Sequence, residues 1–207
     1  MQNFPIDAVR SRFPALSREV EGQPAIYFDA PGGTQACDAA IAAMTAHLHG
    51  GTANAGGPFA TSVETDRLSD DAHAAVADLL GARPEQIAFG PNMTSLTFAV
   101  SRALARDWRE DDELVVTRLD HDANVAPWLQ VAEDRGMTVR WLDFDPATGR
   151  WTLDDLAGLL GPKTRLVALG VASNALGTVN PIAEAVKLVR QRSDAFVYLD
   201  AVQSVPH

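Results

Sequence analysis

Leu166-Val167-Ala168-Leu169-Gly170-Val171 carries no charged or polar side chain, so any strand it forms is apolar on both alternating faces. Such a strand belongs in a parallel sheet covered by helices on both sides. Outward from it, short β-rich runs alternate with helical patterns from about Gln86 onward, the signature of βαβ units. The expected strands are residues 86–89, 113–118, 138–144, 165–171 and 196–200. Between them, Leu96, Val100, Ala103 and Leu104 trace one helical stripe, and Ile182, Val186 and Val189 another. Asn180-Pro181 reads as a cap and first-turn proline for the second stripe. Thr152 with Asp155 reads as a capping arrangement that opens a helix over 153–160.

Before Gln86 the pattern changes. A short strand is expected at 25–28, a turn at Pro31-Gly32-Gly33, an Ala-rich helix at 39–48, a Gly-rich stretch from Gly50 to Gly57, and a long helix ending near Leu80. Residues 1–60 therefore read as an arm and the start of a smaller domain, and 61–207 as the sheet-bearing part. The 207 residues are 46% hydrophobic, enough to bury a substantial core. A formal net charge of -10 opposes nucleic acid or anionic membrane as the main partner, since both repel it at long range. No signal-like or bilayer-length apolar run is present, so a cytoplasmic protein is expected. The single cysteine, Cys37, has no internal partner for a disulfide.

Four segments follow expected strands and carry polar groups. In Phe89-Gly-Pro-Asn-Met-Thr-Ser-Leu96 a helix opens where N–H groups and the Thr94 and Ser95 hydroxyls suit a phosphate; Asn92 and Ser95 acting only as caps is the plainer use. Leu119-Asp-His-Asp-Ala-Asn-Val-Ala-Pro-Trp128 sets His121 between two carboxylates, able to stack on a flat ligand, move protons, or stand as a solvated loop histidine. Val171-Ala-Ser-Asn-Ala-Leu-Gly-Thr-Val-Asn-Pro181 offers Asn174 to a ligand oxygen and Gly177 to a tight turn, which also explains both residues. Finally Phe196-Val-Tyr-Leu199 delivers Asp200, with Gln203 three residues on. Carboxyl ends of strands are where open α/β sheets bind ligands. The histidines show no metal-ligand spacing, and dinucleotide, P-loop and serine-hydrolase glycine motifs are absent.

With Ile26-Tyr-Phe-Asp-Ala-Pro-Gly-Gly-Thr-Gln35, Asp120-His-Asp-Ala-Asn-Val-Ala-Pro-Trp128, Ser173-Asn-Ala-Leu-Gly-Thr-Val-Asn-Pro181 and Asp200-Ala-Val-Gln203 in view, the chain resembles the class V aminotransferase family. The likeness is to its cysteine desulfurase and selenocysteine lyase-like branch. It implies an α/β fold: the incomplete large domain of a PLP-dependent transferase of fold type I, a largely parallel sheet flanked by helices, with an N-terminal arm. It implies pyridoxal 5′-phosphate as cofactor, with Met93 and Thr94 at the phosphate and the His121 ring against the pyridine face as the catalytic residue. Asn174 is implied near the phenolic oxygen and substrate carboxylate, Asp200 on the pyridine nitrogen and Gln203 on the phenolic oxygen. A small amino-acid substrate, cysteine, selenocysteine or a relative, is implied to react through an aldimine, in a homodimer.

Asn92-Met-Thr-Ser95 differs from the Gly-Thr-Thr-Glu form common in desulfurases, and Asp122 stands where a second histidine is frequent. The resemblance places the Schiff-base lysine and the sulfur-accepting cysteine downstream of Asp200. The only lysines, Lys163 and Lys187, read as solvated surface, and Cys37 as a bystander. Two readings follow: an amino-terminal portion of a lyase or transferase, inactive alone, or a non-catalytic assembly module that pairs with another chain.

Overall fold

Four of the runs expected as strands become one parallel sheet in the computed structural model, which describes residues 4–205. Met1-Gln2-Asn3 and Pro206-His207 lie outside the described residues. The chain divides into two compact units between Ala88 and Phe89.

In the first unit, helix α1 (Ile6–Arg10) precedes a small hairpin of β1 (Glu19–Val20) and β2 (Gln23–Pro24). Its turn residues Glu21 and Gly22 sit at φ 52° and 75°, as a two-residue hairpin with native twist demands. The ladder ends at Pro24, which has no N–H to donate, and residues 25–28 continue without forming the expected strand. Helices α2 (Asp38–Gly50) and α3 (Ala60–Leu80) follow. The Gly-rich stretch between them is fastened to α3 by side chains. Ser62 Oγ donates to the Asn54 carbonyl and accepts from Gly57 N–H, both at 2.7 Å, and Asp66 accepts from Gly56 N–H at 3.0 Å. Residues 86–89, expected as a strand, do not form one. Pro84–Gln86 is a 3-10 turn in which Gln86 Oε1 accepts from the Arg83 N–H, so proline-initiated turn chemistry takes up the residue that would have begun it.

The second unit runs α4 (Met93–Leu104), β3 (Glu113–Thr117), α5 (Ala126–Arg135), β4 (Thr138–Leu142), α6 (Leu153–Leu159), β5 (Thr164–Gly170), α7 (Ile182–Arg192) and β6 (Phe196–Asp200). The strand order is β4-β3-β5-β6, all neighbours parallel. Alternation along each strand builds two cores. Leu114, Val116, Leu166 and Ala168 pack with Trp128 and Val131 on the α4 and α5 side; Val115, Val167 and Leu169 pack with Leu156, Ala185 and Val189 on the α6 and α7 side. The Thr152–Asp155 capping box opens α6 as expected, with Asp155 N–H on Thr152 Oγ1 at 3.1 Å. Asn180 does not cap α7. It is buried and its Nδ2 donates to the Gly170 carbonyl at 2.8 Å, because the strand-end carbonyl needs a partner more than the solvated helix start does.

Chain direction reverses at β3, whose connection leads to β4 on one side while β5 lies on the other. The crevice outside the carboxyl ends of β3 and β5 is therefore the topological switch point, where ligands settle in such sheets. The opposite, amino-terminal edge is pinned by Asp112, only 4% exposed, which accepts from the Arg109 N–H (2.9 Å) and Arg165 Nε (2.6 Å). Burial alone would raise this carboxyl, but the Arg109 N–H and the Arg165 guanidinium outweigh it and hold it below its usual range. A depressed carboxylate adds stability above its unfolded pKa and loses it as pH falls. Asp112→Ala is thus expected to cost about 2 kcal/mol in urea unfolding at neutral pH, with the gap to wild type closing as pH falls below the ordinary carboxylate range.

Candidate functional site

Each polar segment singled out above lies at the carboxyl edge of the four-stranded sheet. Helix α4 leads into β3 and so begins at that edge. Asn92 Oδ1 accepts from the Ser95 N–H at 2.8 Å, so Asn92 is the helix cap. The Met93 and Thr94 N–H groups belong to the same first turn, where helix N–H groups lack an intrahelical acceptor. Thr94 is exposed and Met93 half-buried.

β6 carries Tyr198 and Asp200 on one face, two residues apart. That face is the α4 side. Tyr198 packs edge-on against Trp128, ring centroids 5.1 Å apart, and its hydroxyl lies 3.1 Å from Thr97 Oγ1 of α4. One part-buried hydrogen bond therefore ties α4 to the strand that carries Asp200. Asp200 is half-buried, with Oδ1 accepting from the Val202 N–H at 3.0 Å. Gln203 follows in the turn after β6, half-buried.

His121 caps a 3-10 turn, Asp122–Asn124, beyond the end of β3. Its Nδ1 accepts from the Ala123 N–H at 3.1 Å, which leaves the proton of the neutral ring on Nε2. The ring is exposed and oriented by backbone; among the described residues neither flanking carboxylate hydrogen-bonds it. Asn174 stands half-buried in a loop shaped by its neighbour. Ser173 Oγ accepts from the Ala175 and Leu176 N–H groups, and Gly177 closes the loop at φ 71°, a left-handed conformation glycine adopts without strain.

In the sequence Asp120 stands only as one of two carboxylates flanking His121, not as a site residue. Its Oδ1 accepts from Thr117 Oγ1 at 2.8 Å and its Oδ2 from Asn124 Nδ2 at 2.7 Å. Gly170 approaches so closely that a Cβ there would stand 2.9 Å from Asp120 Oδ1. Burial pushes the Asp120 carboxyl above its usual range; the Thr117, Gly170 and Asn124 hydrogen bonds pull against this, and the Asp200 charge adds to it. Spacings of three and four residues, Thr117 to Asp120 to Asn124, were the available signal.

Lys163 precedes β5 at the amino-terminal edge, 3.3 Å from Asp111, and Lys187 is exposed on α7. Neither lies at the carboxyl edge. Cys37 occupies the cap position of α2 and makes no capping bond. Among the described residues no group of three or more His, Cys, Asp or Glu side chains is arranged to hold a metal ion, and no helix is long and apolar enough to cross a membrane.

The fold is that of an α/β protein whose polar segments gather at the carboxyl edge of a parallel sheet. Residues 26–207 match the aminotransferase class-V family, and the chain belongs to it. It is 34% identical over 208 residues to a cysteine desulfurase of Yersinia pseudotuberculosis, covering 99% of this chain and 51% of that protein. The apo cysteine desulfurase of Thermococcus onnurineus NA1 superposes with a TM-score of 0.88 at 26% identity, over 100% of this chain and 50% of that one. A C-DES mutant with glycine covalently linked to its PLP cofactor superposes with a TM-score of 0.77 at 28% identity, over 94% of this chain and 50% of that one. The chain is cysteine desulfurase-like and spans about half the length of the relatives it matches.

Proposed function

We propose that the carboxyl edge binds pyridoxal 5′-phosphate, as part of a cysteine desulfurase-like enzyme acting on cysteine, selenocysteine or a related small amino acid. The observation that carries this is the Thr97–Tyr198 bond, which puts the start of α4 and Asp200 on one side of the same sheet. A phosphorylated pyridine needs an anion cradle and a carboxylate for its ring nitrogen, and this edge supplies both. When bound, the cofactor provides an electron sink for bond cleavage at the amino acid's α-carbon. Met93 and Thr94 N–H groups hold the phosphate. Asp200 holds the proton at the ring nitrogen, His121 covers the ring face, and Asn174 and Gln203 serve the phenolic oxygen and the substrate carboxylate.

In this reading residues 1–60 form the arm and the start of a small domain, and 61–207 the cofactor-binding part, in a cytoplasmic protein. The lysine that anchors the cofactor covalently comes from outside these 207 residues, since Lys163 and Lys187 stand elsewhere. Alone, the chain binds the cofactor reversibly and does not turn over substrate.

A second observation favours pairing with another copy. Phe28 is 94% and Ile26 81% exposed in the first unit, and edge strand β6 shows Phe196 at 53%. Exposed apolar groups of this kind associate. One experiment addresses both readings: titrate the chain with pyridoxal 5′-phosphate, reduce with borohydride, weigh the protein, and sediment it with and without cofactor. Saturable binding without a stable lysine adduct, in a dimer, is expected. A specific adduct on Lys163 or Lys187 overturns the outside-lysine assignment, absence of binding overturns the cofactor reading, and a monomer at all concentrations overturns the pairing.

A further inference from the structure

We propose that Asp120 is a positioning residue of this site: by gathering Thr117, Asn124 and the Gly170 backbone onto one half-buried carboxyl group, it sets the His121 turn at a fixed place beside the strand end that carries Asp200. The inference rests on the reading that His121 and Asp200 hold a pyridine cofactor, and it adds the residue that holds them in relation.

The geometry is that of a three-way junction. Thr117 is the last residue of β3, and its Oγ1 accepts from the Leu119 and Asp120 N–H groups at 3.1 and 3.0 Å. With both acceptor positions taken, its own hydrogen is directed to Asp120 Oδ1. On the other oxygen, Asn124 Nδ2 reaches back across four residues, so the side-chain bond spans the turn that displays His121. The backbone closes the same turn from within, Asn124 N–H on the His121 carbonyl at 2.8 Å and Val125 N–H on the Asp122 carbonyl at 2.9 Å. The third arm is β5. The Gly170 backbone approaches the Asp120 carboxyl closely, and Gly170 is the register partner of Asp200 across the β5–β6 ladder. Asp120 thus plugs the crevice between β3 and β5, the switch point itself. Glycine at 170 is required for space: a Cβ would stand 2.9 Å from Oδ1 and 3.4 Å from Cγ of Asp120.

A carboxyl used only to fill this crevice could be replaced by any group of similar shape. The two directed donors, one on each oxygen, and the close approach of the Gly170 backbone argue for a defined hydrogen-bonding role. Asn124 Oδ1 is buried without a hydrogen-bond partner among the described residues. The Asn124 amide can therefore turn over to meet an Asp120→Asn side chain and keep the junction closed, whereas Asp120→Ala opens it.

The test uses the 207-residue chain and two readouts: the two-bond proton–nitrogen NMR pattern of the His121 ring, assigned with His121→Gln, and the dissociation constant of pyridoxal 5′-phosphate. In wild type His121 is expected in one tautomer, with Nδ1 unprotonated. Asp120→Ala is expected to average the tautomers and raise the dissociation constant about tenfold or more, while Asp120→Asn restores both. Loss of packing alone would lower the unfolding midpoint without changing the tautomer or affinity of the folded fraction. A folded Asp120→Ala with the wild-type ring pattern and affinity overturns the proposal. Should Asp120→Ala not fold, Thr117→Val removes one arm at equal volume, and an unchanged His121 pattern in it overturns the proposal equally. If wild type binds no cofactor while the ring pattern responds to Asp120→Ala, the positioning role stands and the cofactor reading falls.

Discussion

Asp200→Asn is expected to weaken pyridoxal 5′-phosphate binding by about 10- to 100-fold, or about 1.4 to 2.8 kcal/mol. The substitution keeps the shape of the side chain and an oxygen to accept the Val202 N–H, so folding should be preserved and the charge alone removed. Two opposite unit charges about 4 Å apart gain about 4 kcal/mol at an effective dielectric near 20. Asp200 is only half-buried, so solvent screening and desolvation reduce that figure to the range given. Fluorescence titration checks it, and affinity equal to wild type would show that the carboxylate does not face the cofactor. The variant carries a second expectation. The Asp200 charge helps push the Asp120 carboxyl up, so without it Asp120 titrates at lower pH, readable by carbon NMR of the carboxyl. An acid raised in the folded state binds more protons there than in the unfolded chain, so its stabilisation is present at low pH and lost as pH rises through the folded value. Asp200→Asn narrows that window from above.

Trp128→Ala is expected to cost about 3–5 kcal/mol. Trp128 is fully buried on the α4 and α5 side of the sheet, among Leu114, Val116 and Leu166, and meets the Tyr198 ring edge-on at 69°. Domains of this size are stable by about 5–15 kcal/mol, so the variant should lose much of its cooperative urea transition. Trp128→Phe should cost far less than Ala. It keeps an aromatic edge for Tyr198 and deletes an Nε1 that has no hydrogen-bond partner among the described residues, and burying an unpaired donor is unfavourable. A loss under about 1 kcal/mol for Trp128→Ala would show that the crevice collapses freely around the missing ring. Because Tyr198 bridges to Thr97, the Ala variant should also bind the cofactor more weakly wherever it stays folded.

Strands β3 and β5 were legible as short runs buried along nearly their whole length, a demand that burial places on composition, whereas the edge strands β4 and β6 keep exposed positions and were legible from their β-branched and aromatic residues. Residues 25–28 (Ala-Ile-Tyr-Phe) and 86–89 (Gln-Ile-Ala-Phe) misled because short apolar runs with Ile and aromatic residues satisfy strand composition, while strand formation also needs a ladder partner. Pro24 ends one ladder, and the 3-10 turn at Pro84–Gln86 diverts the other. Asn92 and the Thr152–Asp155 pair were readable as caps because capping is a contact over three residues. Asn180, three residues from nothing it bonds, was not: its partner is the Gly170 carbonyl, ten positions back in the chain.

Residue types and their short-range spacing determined the helices, the parallel sheet, the polar start of α4 and the three polar segments at strand ends, because those features follow from local burial and capping. Only the tertiary structure decided that β3 and β5 become neighbours with β4 outside them, that Tyr198 reaches Thr97, and that Asp120 closes onto Gly170. These pairings join residues 50 to about 100 positions apart, and which of many apolar faces meets which is chosen by the packing of the whole sheet.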